Sequence, residues 1–236
     1  MKHALGNTGL LLERCAEMGV TLPAEVAAVL LGILEALAGE SQNLTRISDP
    51  DAAVERHLAD SLSALGAGLI PVTGQLIDIG SGSGFPGLAL AAACPGLEVS
   101  LLEAEGRKAD WLRRASATLS NVRVIHDRAE SLALRQRGQW NIATARAVGS
   151  LSTVIELAAP LLSTDGRFVA WRGPRVIAEE DRGDAVAEIL GFAPGQVISV
   201  QPFPGAERHL HAFDRVSETP DRFPRRDGRA AHRPLL

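Results

Sequence analysis

The sequence predicts an α/β fold in which helices cover a mostly parallel sheet, preceded by an N-terminal helical extension. Three observations predict it. Short apolar runs alternate with helical patterns from Gln75 onward, the first 70 residues show only helical periodicity, and a glycine-rich segment follows the first apolar run. Because 236 residues suit one medium-sized domain with an extension, we expect a division into residues 1–70 and 71–236.

The spacing of apolar residues predicts three helices in the extension. The first ends at a turn at Gly19, the second begins at Pro23 and stops near Gly39, and the third starts at Asp49-Pro50. The boundary is expected in residues 66–71, which contain two glycines and a proline.

Seven strands are predicted in the second part. They cover residues 76–79, 98–102, 122–125, 141–145, 167–171, 196–201 and 209–216. Helices are predicted at residues 86–93, 106–119, 151–162 and 176–190. The last two strands form a hairpin that is expected to add an antiparallel edge strand to the sheet.

Composition excludes several classes of protein. No run of about 18 uncharged apolar residues occurs, and the start lacks an apolar segment with a cleavage site, so we expect a cytoplasmic protein. Two cysteines, Cys15 and Cys94, form neither a disulfide framework nor a four-ligand zinc site, and no metal is expected. Monomer is the default state. The net charge of −4 does not by itself indicate a nucleic-acid binder.

A glycine-rich loop follows the first strand and reads Asp78-x-Gly80-x-Gly82-x-Gly84, continuing into Phe85-Pro86-Gly87. A ligand lying across the end of a central strand needs close approach to the backbone, which glycines permit. Glu103, at the end of the next strand, can accept hydrogen bonds from two ribose hydroxyls.

The loop also contains the formal dinucleotide pattern of glycines at 82, 84 and 87, so an NAD(P) oxidoreductase and a purely structural turn stay open. Asp78 lies within the strand, and an acidic strand end is compatible with the cationic S-adenosylmethionine. The interpretation we favour is therefore a Rossmann-like class I methyltransferase with a seven-stranded sheet, using S-adenosylmethionine.

A further pocket element is expected after the third strand, at residues 126–130. There Ala129 and Glu130 could hold an adenine edge with a backbone N–H and a carboxylate. The alternative is an ordinary helix N-terminus, where acidic residues are favoured by the helix dipole.

The residues after the fourth strand limit the chemistry of methyl transfer. The Asn/Asp-Pro-Pro-aromatic turn common in amine methylation is absent there, and Cys94 is badly placed for a cytosine nucleophile. Arg146 at this strand end suits a reaction without a general base, such as methylation of guanine N7, whose lone pair carries no proton. A structural salt bridge is the alternative for Arg146.

The C-terminal segment from Pro220 carries an excess of arginine that could meet phosphates. A solvated tail is the alternative. Its arginines are Arg222, Arg225, Arg226, Arg229 and Arg233.

Beyond the loop, the sequence resembles the RsmG family, also called GidB, of ribosomal RNA small-subunit methyltransferases. The resemblance covers nearly the whole chain. The matching segments are Asn43-Leu44-Thr45, Arg56-His57-x-x-Asp60-Ser61, the glycine loop through Gly87, Arg128-Ala129-Glu130, Ala145-Arg146-Ala147, Glu207-Arg208-His209-Leu210 and the tail Phe223-Pro224-Arg225-Arg226-x-Gly228.

The resemblance implies methylation of N7 of one guanine in 16S rRNA, within free rRNA or small-subunit particles. It implies that Gly80, Phe85, Ala129, Glu130 and Arg146 contact S-adenosylmethionine, with Glu103 near the ribose. The block at His57 would line the mouth of the site, although His57 alone would more often be a packing histidine.

Candidate catalytic residues are therefore Arg146 and His57. The expected RNA contacts are Arg56, Arg172, Arg222, Arg225, Arg226 and Arg229. A small-molecule or protein methyltransferase of the same fold, and a non-catalytic S-adenosylmethionine-binding assembly factor, are the alternatives.

Overall fold

The computed structural model describes residues 2–42 and 44–236. Three helical stretches form the N-terminal part. They comprise α1 (Lys2–Glu17), α2 (Ala24–Ala38), and a continuous run of α3 (Pro50–Ala53), a π-helical turn (Val54–Ala59) and α4 (Asp60–Gly66). Asp49 caps the third stretch, because its side chain accepts a hydrogen bond from the Ala52 amide. These starts and stops are those that the sequence predicts.

The remaining chain alternates strands and helices. In order these are β1 (Thr73–Ile79), α5 (Gly87–Ala93), β2 (Gly96–Glu103), α6 (Gly106–Ala115), β3 (Val122–His126), α7 (Ala129–Arg135), β4 (Trp140–Arg146), α8 (Leu151–Ala158), β5 (Leu162–Arg172), α9 (Ile177–Leu190), β6 (Gln196–Val200), β7 (Arg208–Asp214) and α10 (Arg229–His232).

The seven strands form one sheet in the order β3-β2-β1-β4-β5-β7-β6. The first five strands are parallel, with Ile79 beside Leu102 on one side and Ala145 on the other. The order reverses between β1 and β4, and open α/β sheets bind ligands at the carboxyl ends of strands at such a reversal. The predicted α/β class is confirmed.

The position of the antiparallel strand differs from the prediction. β7 pairs antiparallel with both β5 and β6, so it lies inside the sheet, and β6 forms the edge. Burial explains the order: the five central residues of β7 are all buried, whereas no residue of β6 is fully buried. The helix expected at residues 106–119 ends at Ala115, where the Ser116 hydroxyl donates to the Leu112 carbonyl.

Two apolar layers cover the two faces of the sheet. One contains α1, α2 and α5 side chains such as Leu11, Leu30 and Leu88, so the N-terminal helices share a core with the sheet. The other contains the strand residues Ile77 and Phe213, which pack with side chains of α8 and α9 such as Val154. A division at residue 70 stays a prediction. Among the residues that the structure describes, no helix has the length and hydrophobicity that a membrane span requires.

Candidate active site

The glycine loop turns the chain from β1 onto α5 at the carboxyl edge of the sheet. Gly80 and Gly82 have φ angles of 66° and 56°, in the left-handed region that favours glycine. A Cβ at Gly80 would also lie 2.8 Å from the Val148 side chain. The backbone path therefore requires glycine at both positions, as the motif predicts.

Glu103 lies at the end of β2 and ties the loop to the neighbouring strand. Its Oε2 accepts a 2.9 Å hydrogen bond from the Gly82 amide, and its Oε1 accepts one of 2.8 Å from the Glu105 amide. Each carboxylate oxygen has two lone pairs, so both can still accept hydrogen bonds from ligand hydroxyls.

A cavity of about 230 Å³ opens between the loop and α7, and we call it the loop cavity. It is lined by Ile79, Gly80, Leu102, Glu103, Ala104, Asp127, Arg128, Ala129, Glu130, Val148, Thr153, Leu157, Gly228 and Ala231. Four predicted cofactor residues meet here: Gly80, Glu103, Ala129 and Glu130. The helix N-terminus of the alternative interpretation is present, because α7 begins at Ala129, and the first residues of α7 also line the cavity. Their contact with an adenine edge stays a prediction.

Asp78 lies beneath the loop rather than in the lining of this cavity. The residue is 1% exposed, and its carboxylate accepts hydrogen bonds from Thr144 Oγ1 (2.8 Å) and the Gly87 amide (3.3 Å). Burial raises the pKa of Asp78 to about 6, and these hydrogen bonds oppose the rise. Gly84 packs closely on Leu88, since a Cβ there would lie 2.3 Å from its Cδ1. Direct contact of Asp78 and Gly84 with a cofactor stays untested.

The C-terminal segment forms one wall of the loop cavity. The Gly228 amide donates to Glu130 Oε1 at 2.7 Å, and the Ser131 hydroxyl donates to Asp227 Oδ2 at 3.0 Å. Thr153 Oγ1 donates to the carbonyl of buried Ala230 at 3.2 Å. These contacts pack the segment against the domain, while most of its arginines stay exposed to solvent.

The tail arginines divide into two groups. Arg225 forms two 2.6 Å hydrogen bonds to the buried carboxylate of Glu156, so it anchors the tail. Arg222, Arg226, Arg229 and Arg233 are exposed, and Arg222 lies over the Phe223 ring at 5.3 Å. The exposed group is free to meet phosphates, whereas Arg225 already has an internal partner.

A second, more open cavity of about 670 Å³ lies at the carboxyl ends of β4 and β5, and we call it the arginine cavity. Four arginines and two carboxylates give it a positive balance of charge. The lining residues are Ile47, Arg56, His57, Asp60, Arg146, Ala147, Trp171, Arg172, Gly173, Pro174, Glu179 and Arg208. It brings together the predicted Arg56, His57, Arg146 and Arg172.

Arg146 joins the N-terminal helices to the end of β4. One guanidinium nitrogen donates to Asp60 Oδ2 at 2.9 Å and to the Arg56 carbonyl at 3.0 Å. The predicted alternative, a salt bridge, is thus present, and it lies within the cavity lining. Arg172 similarly pairs with Glu179.

His57 lies in the π-helical turn and is buried against the loop. Its ring stacks on Phe85 with centroids 5.2 Å apart, and its Nε2 is 2.9 Å from Thr45 Oγ1. Burial and the nearby charge of Arg146 lower the pKa of His57 to about 4, so the ring is neutral at neutral pH. Asn43, of the same predicted motif as Thr45, lies outside the described residues.

Consecutive residues of the turn after β4 line the two cavities. Ala147 lines the arginine cavity, and the next residue, Val148, lines the loop cavity. Ala147 has a φ of 58°, an uncommon conformation for a residue with a Cβ. The turn therefore contributes a lining residue to each cavity.

Sequence reasoning missed several lining residues as site residues. Arg208 lies in a matching segment and Gly228 in the matching tail, but neither was assigned a contact, whereas Asp60 belongs to the block expected to line the mouth of the site. The resemblance supplied a signal for all three, whereas nothing in the sequence pointed to Trp171 or Ala231.

The chain is similar to known proteins over most of its length. A family model described as rRNA small subunit methyltransferase G matches residues 30–211. A ribosomal RNA small subunit methyltransferase G from Chloroflexus aggregans is 40% identical, covering 98% of this chain and 99% of that protein. The protein of the same name from Roseiflexus castenholzii is 43% identical over 82% of this chain and 84% of its own.

Solved structures show similarity of fold. A SAM-dependent methyltransferase from Aquifex aeolicus has a TM-score of 0.56 at 14% identity, covering 73% of this chain and 97% of that chain. A predicted O-methyltransferase from Agrobacterium tumefaciens has a TM-score of 0.54 at 22% identity, covering 68% of this chain and 80% of that chain.

Proposed function

Because the chain belongs to the rRNA small subunit methyltransferase G family, we propose that it transfers a methyl group from S-adenosylmethionine to N7 of a guanine in 16S rRNA. The observation that carries this proposal is a pair of cavities whose linings include the consecutive residues Ala147 and Val148. One is lined by the glycine loop and Glu103, and the other is rich in arginine.

The residues of the loop cavity fit S-adenosylmethionine. Glu103 would hold the ribose hydroxyls, while Ala129 and Glu130 would hold the adenine edge. When bound, this cofactor supplies a methyl group carried by a positively charged sulfur. Buried Asp78, ionised above its pKa of about 6, adds a negative charge beneath the loop that favours a cationic ligand.

Methylation of guanine N7 requires alignment of the base with the methyl group rather than removal of a proton. Its lone pair is already available, so no group is needed as a general base. His57, neutral and stacked on Phe85, fixes the face of the loop nearest the arginine cavity. Arg146 holds the π-helical turn in place through Asp60 and the Arg56 carbonyl. Their role in this proposal is to position the base and exclude water.

RNA binding would rest on arginines at two places. Arg56 and Arg172 line the arginine cavity, and Arg222, Arg226 and Arg229 are exposed on the tail. Since the net charge is −4, we propose a small footprint on RNA or small-subunit particles. An rRNA substrate also supports a cytoplasmic location, and we propose a monomer that needs no metal.

The test is transfer of labelled methyl to small subunits from a strain lacking the enzyme. The proposal expects label in 16S rRNA with purified enzyme. Subunits from the parent strain, already methylated, are the matched control and should take up little label. Label in a small molecule, with none in 16S rRNA, would reject the proposal.

A further inference from the structure

One buried carboxylate oxygen in the arginine cavity has no hydrogen-bond partner among the residues that the structure describes. Asp60 is only 5% exposed and lines the cavity. Its Oδ2 accepts from Arg146, whereas its Oδ1 lies 3.3 Å from Arg208 Nε in an ion pair without hydrogen-bond geometry. A buried acceptor without a donor is unfavourable, so Oδ1 is suited to a donor from a ligand.

The backbone of Asp60 is held on several sides. Its carbonyl accepts from Trp171 Nε1 at 2.8 Å and from the Ser63 hydroxyl at 2.7 Å. Its amide donates to the Glu55 carbonyl five residues earlier, which is the π-helical pattern often seen at functional sites. Oδ1 therefore has a fixed position, as a specificity group requires.

The other carboxylate of this cavity is less suited to that role. The Glu179 side chain is 28% exposed, and its Oε1 is engaged by Arg172 and by the Leu151 amide at 2.8 Å. Solvent water can donate hydrogen bonds to the remaining lone pairs of Glu179. Asp60 is thus the carboxylate of the cavity that combines burial with a free acceptor.

The chemistry of guanine restricts how its base can be read. Arginine usually reads guanine through O6 and N7, but N7 must face the methyl group here. The remaining donors, N1–H and the exocyclic amine, lie on the opposite edge, which proteins read in extruded bases. A carboxylate accepts from both donors, whereas adenine presents an acceptor at N1 and no exocyclic amine at C2.

We propose that Asp60 is a specificity-determining residue that accepts hydrogen bonds from the N1–H and amino group of the target guanine. The inference rests on the proposed function. Arg146 and Arg208 orient the carboxylate, and N7 is directed away from Asp60 toward the loop cavity.

The test compares guanine with inosine, which keeps N7 and N1–H but lacks the exocyclic amine. Synthetic RNA carrying inosine at the methylated position is ligated into 16S rRNA, which is reconstituted into subunits. For both subunits, kcat/KM is measured under single-turnover conditions. The Kd of the enzyme for each subunit is measured with S-adenosylhomocysteine bound. Wild-type enzyme should prefer guanine by about 10- to 100-fold.

Asp60→Asn should abolish this preference. Because Arg146 donates to Asp60 Oδ2, the amide oxygen of the variant should face Arg146. Its NH₂ should then face the base, where it would meet the N1–H and amino donors of guanine without an acceptor between them. Glu179→Gln, which alters the other carboxylate of the cavity, should retain the preference. Asp60→Ala gives a second variant, and unchanged cofactor affinity verifies that both remain folded.

Three results overturn the inference. The first is that wild-type enzyme has the same kcat/KM and Kd for guanine and for inosine. The second is that both Asp60 variants keep the full preference for guanine in kcat/KM and in Kd. Failure of wild-type enzyme to methylate any RNA would instead reject the proposed function, and this inference with it.

Discussion

The Gly228 amide donates a 2.7 Å hydrogen bond to Glu130 Oε1, joining the end of the chain to the first turn of α7. This contact closes one side of the loop cavity, which Gly228 and Ala231 both line. The arginine-rich C-terminal segment, which the sequence predicts to bind RNA, is therefore also part of the proposed cofactor site.

Removal of residues 227–236 should weaken binding of S-adenosylmethionine. The deletion removes a wall of the loop cavity and leaves Glu130 without its backbone donor, so we expect a loss of about tenfold or more in Kd, measured by calorimetry. Arg226→Ala, in an exposed part of the same tail, should leave this Kd unchanged. A truncated chain with wild-type affinity would show that the wall does not contribute.

Replacement of Glu103 by alanine should weaken cofactor binding more than any change at its neighbour Glu105. Glu103 supports the loop through Gly82 and faces the loop cavity, whereas the Glu105 side chain is exposed and pairs with Lys108. We expect Glu103→Ala to raise the Kd by about 10- to 100-fold and Glu105→Ala to have little effect. Equal effects of the two substitutions would remove Glu103 from the proposed site.

His57 should make stability depend on pH. Its pKa is about 4 when folded and 6.5 ordinarily, so the unfolded chain takes up the proton first as the pH falls. The neutral ring stabilises the fold above pH 6.5, and this contribution is lost as the pH falls toward 4.

His57→Gln lacks this titration, whereas Asp78 titrates in both proteins. Between pH 7.5 and 5, wild type should lose about 2 kcal/mol relative to the variant in urea unfolding. A constant difference over this range would contradict the lowered pKa.

Arg226→Ala should weaken binding to 16S rRNA in a manner that depends on salt. Loss of one phosphate contact should reduce the slope of log K against log salt by about 1. Arg182→Ala, an exposed arginine on α9, is the matched control and should retain the slope. If both variants bind alike at every salt concentration, Arg226 does not contact phosphate.

The elements that sequence reasoning predicted correctly depend on local patterns. The parallel strands follow from short apolar runs, and the loop follows from glycines whose positive φ angles the motif implies. The start of the third helical stretch follows from Asp49, which caps it.

Contacts between segments that are distant in the sequence could not be predicted from local patterns. Arg146 meets Asp60 across 86 residues, and Gly228 meets Glu130 across 98. No local pattern specifies such pairings, because they depend on how helices pack on the sheet. The position of β7 inside the sheet was missed for the same reason, since hairpin formation alone does not say which strand pairs with β5.

The most direct test of the account is the identity of the methylated nucleoside in 16S rRNA. Small subunits lacking the modification are incubated with enzyme and S-adenosylmethionine, and the digested rRNA is analysed by mass spectrometry. The account predicts 7-methylguanosine at one position, with none formed by the Glu103→Ala variant at low cofactor concentration. Methylation of another atom or another base, or no methylated nucleoside at all, would contradict it.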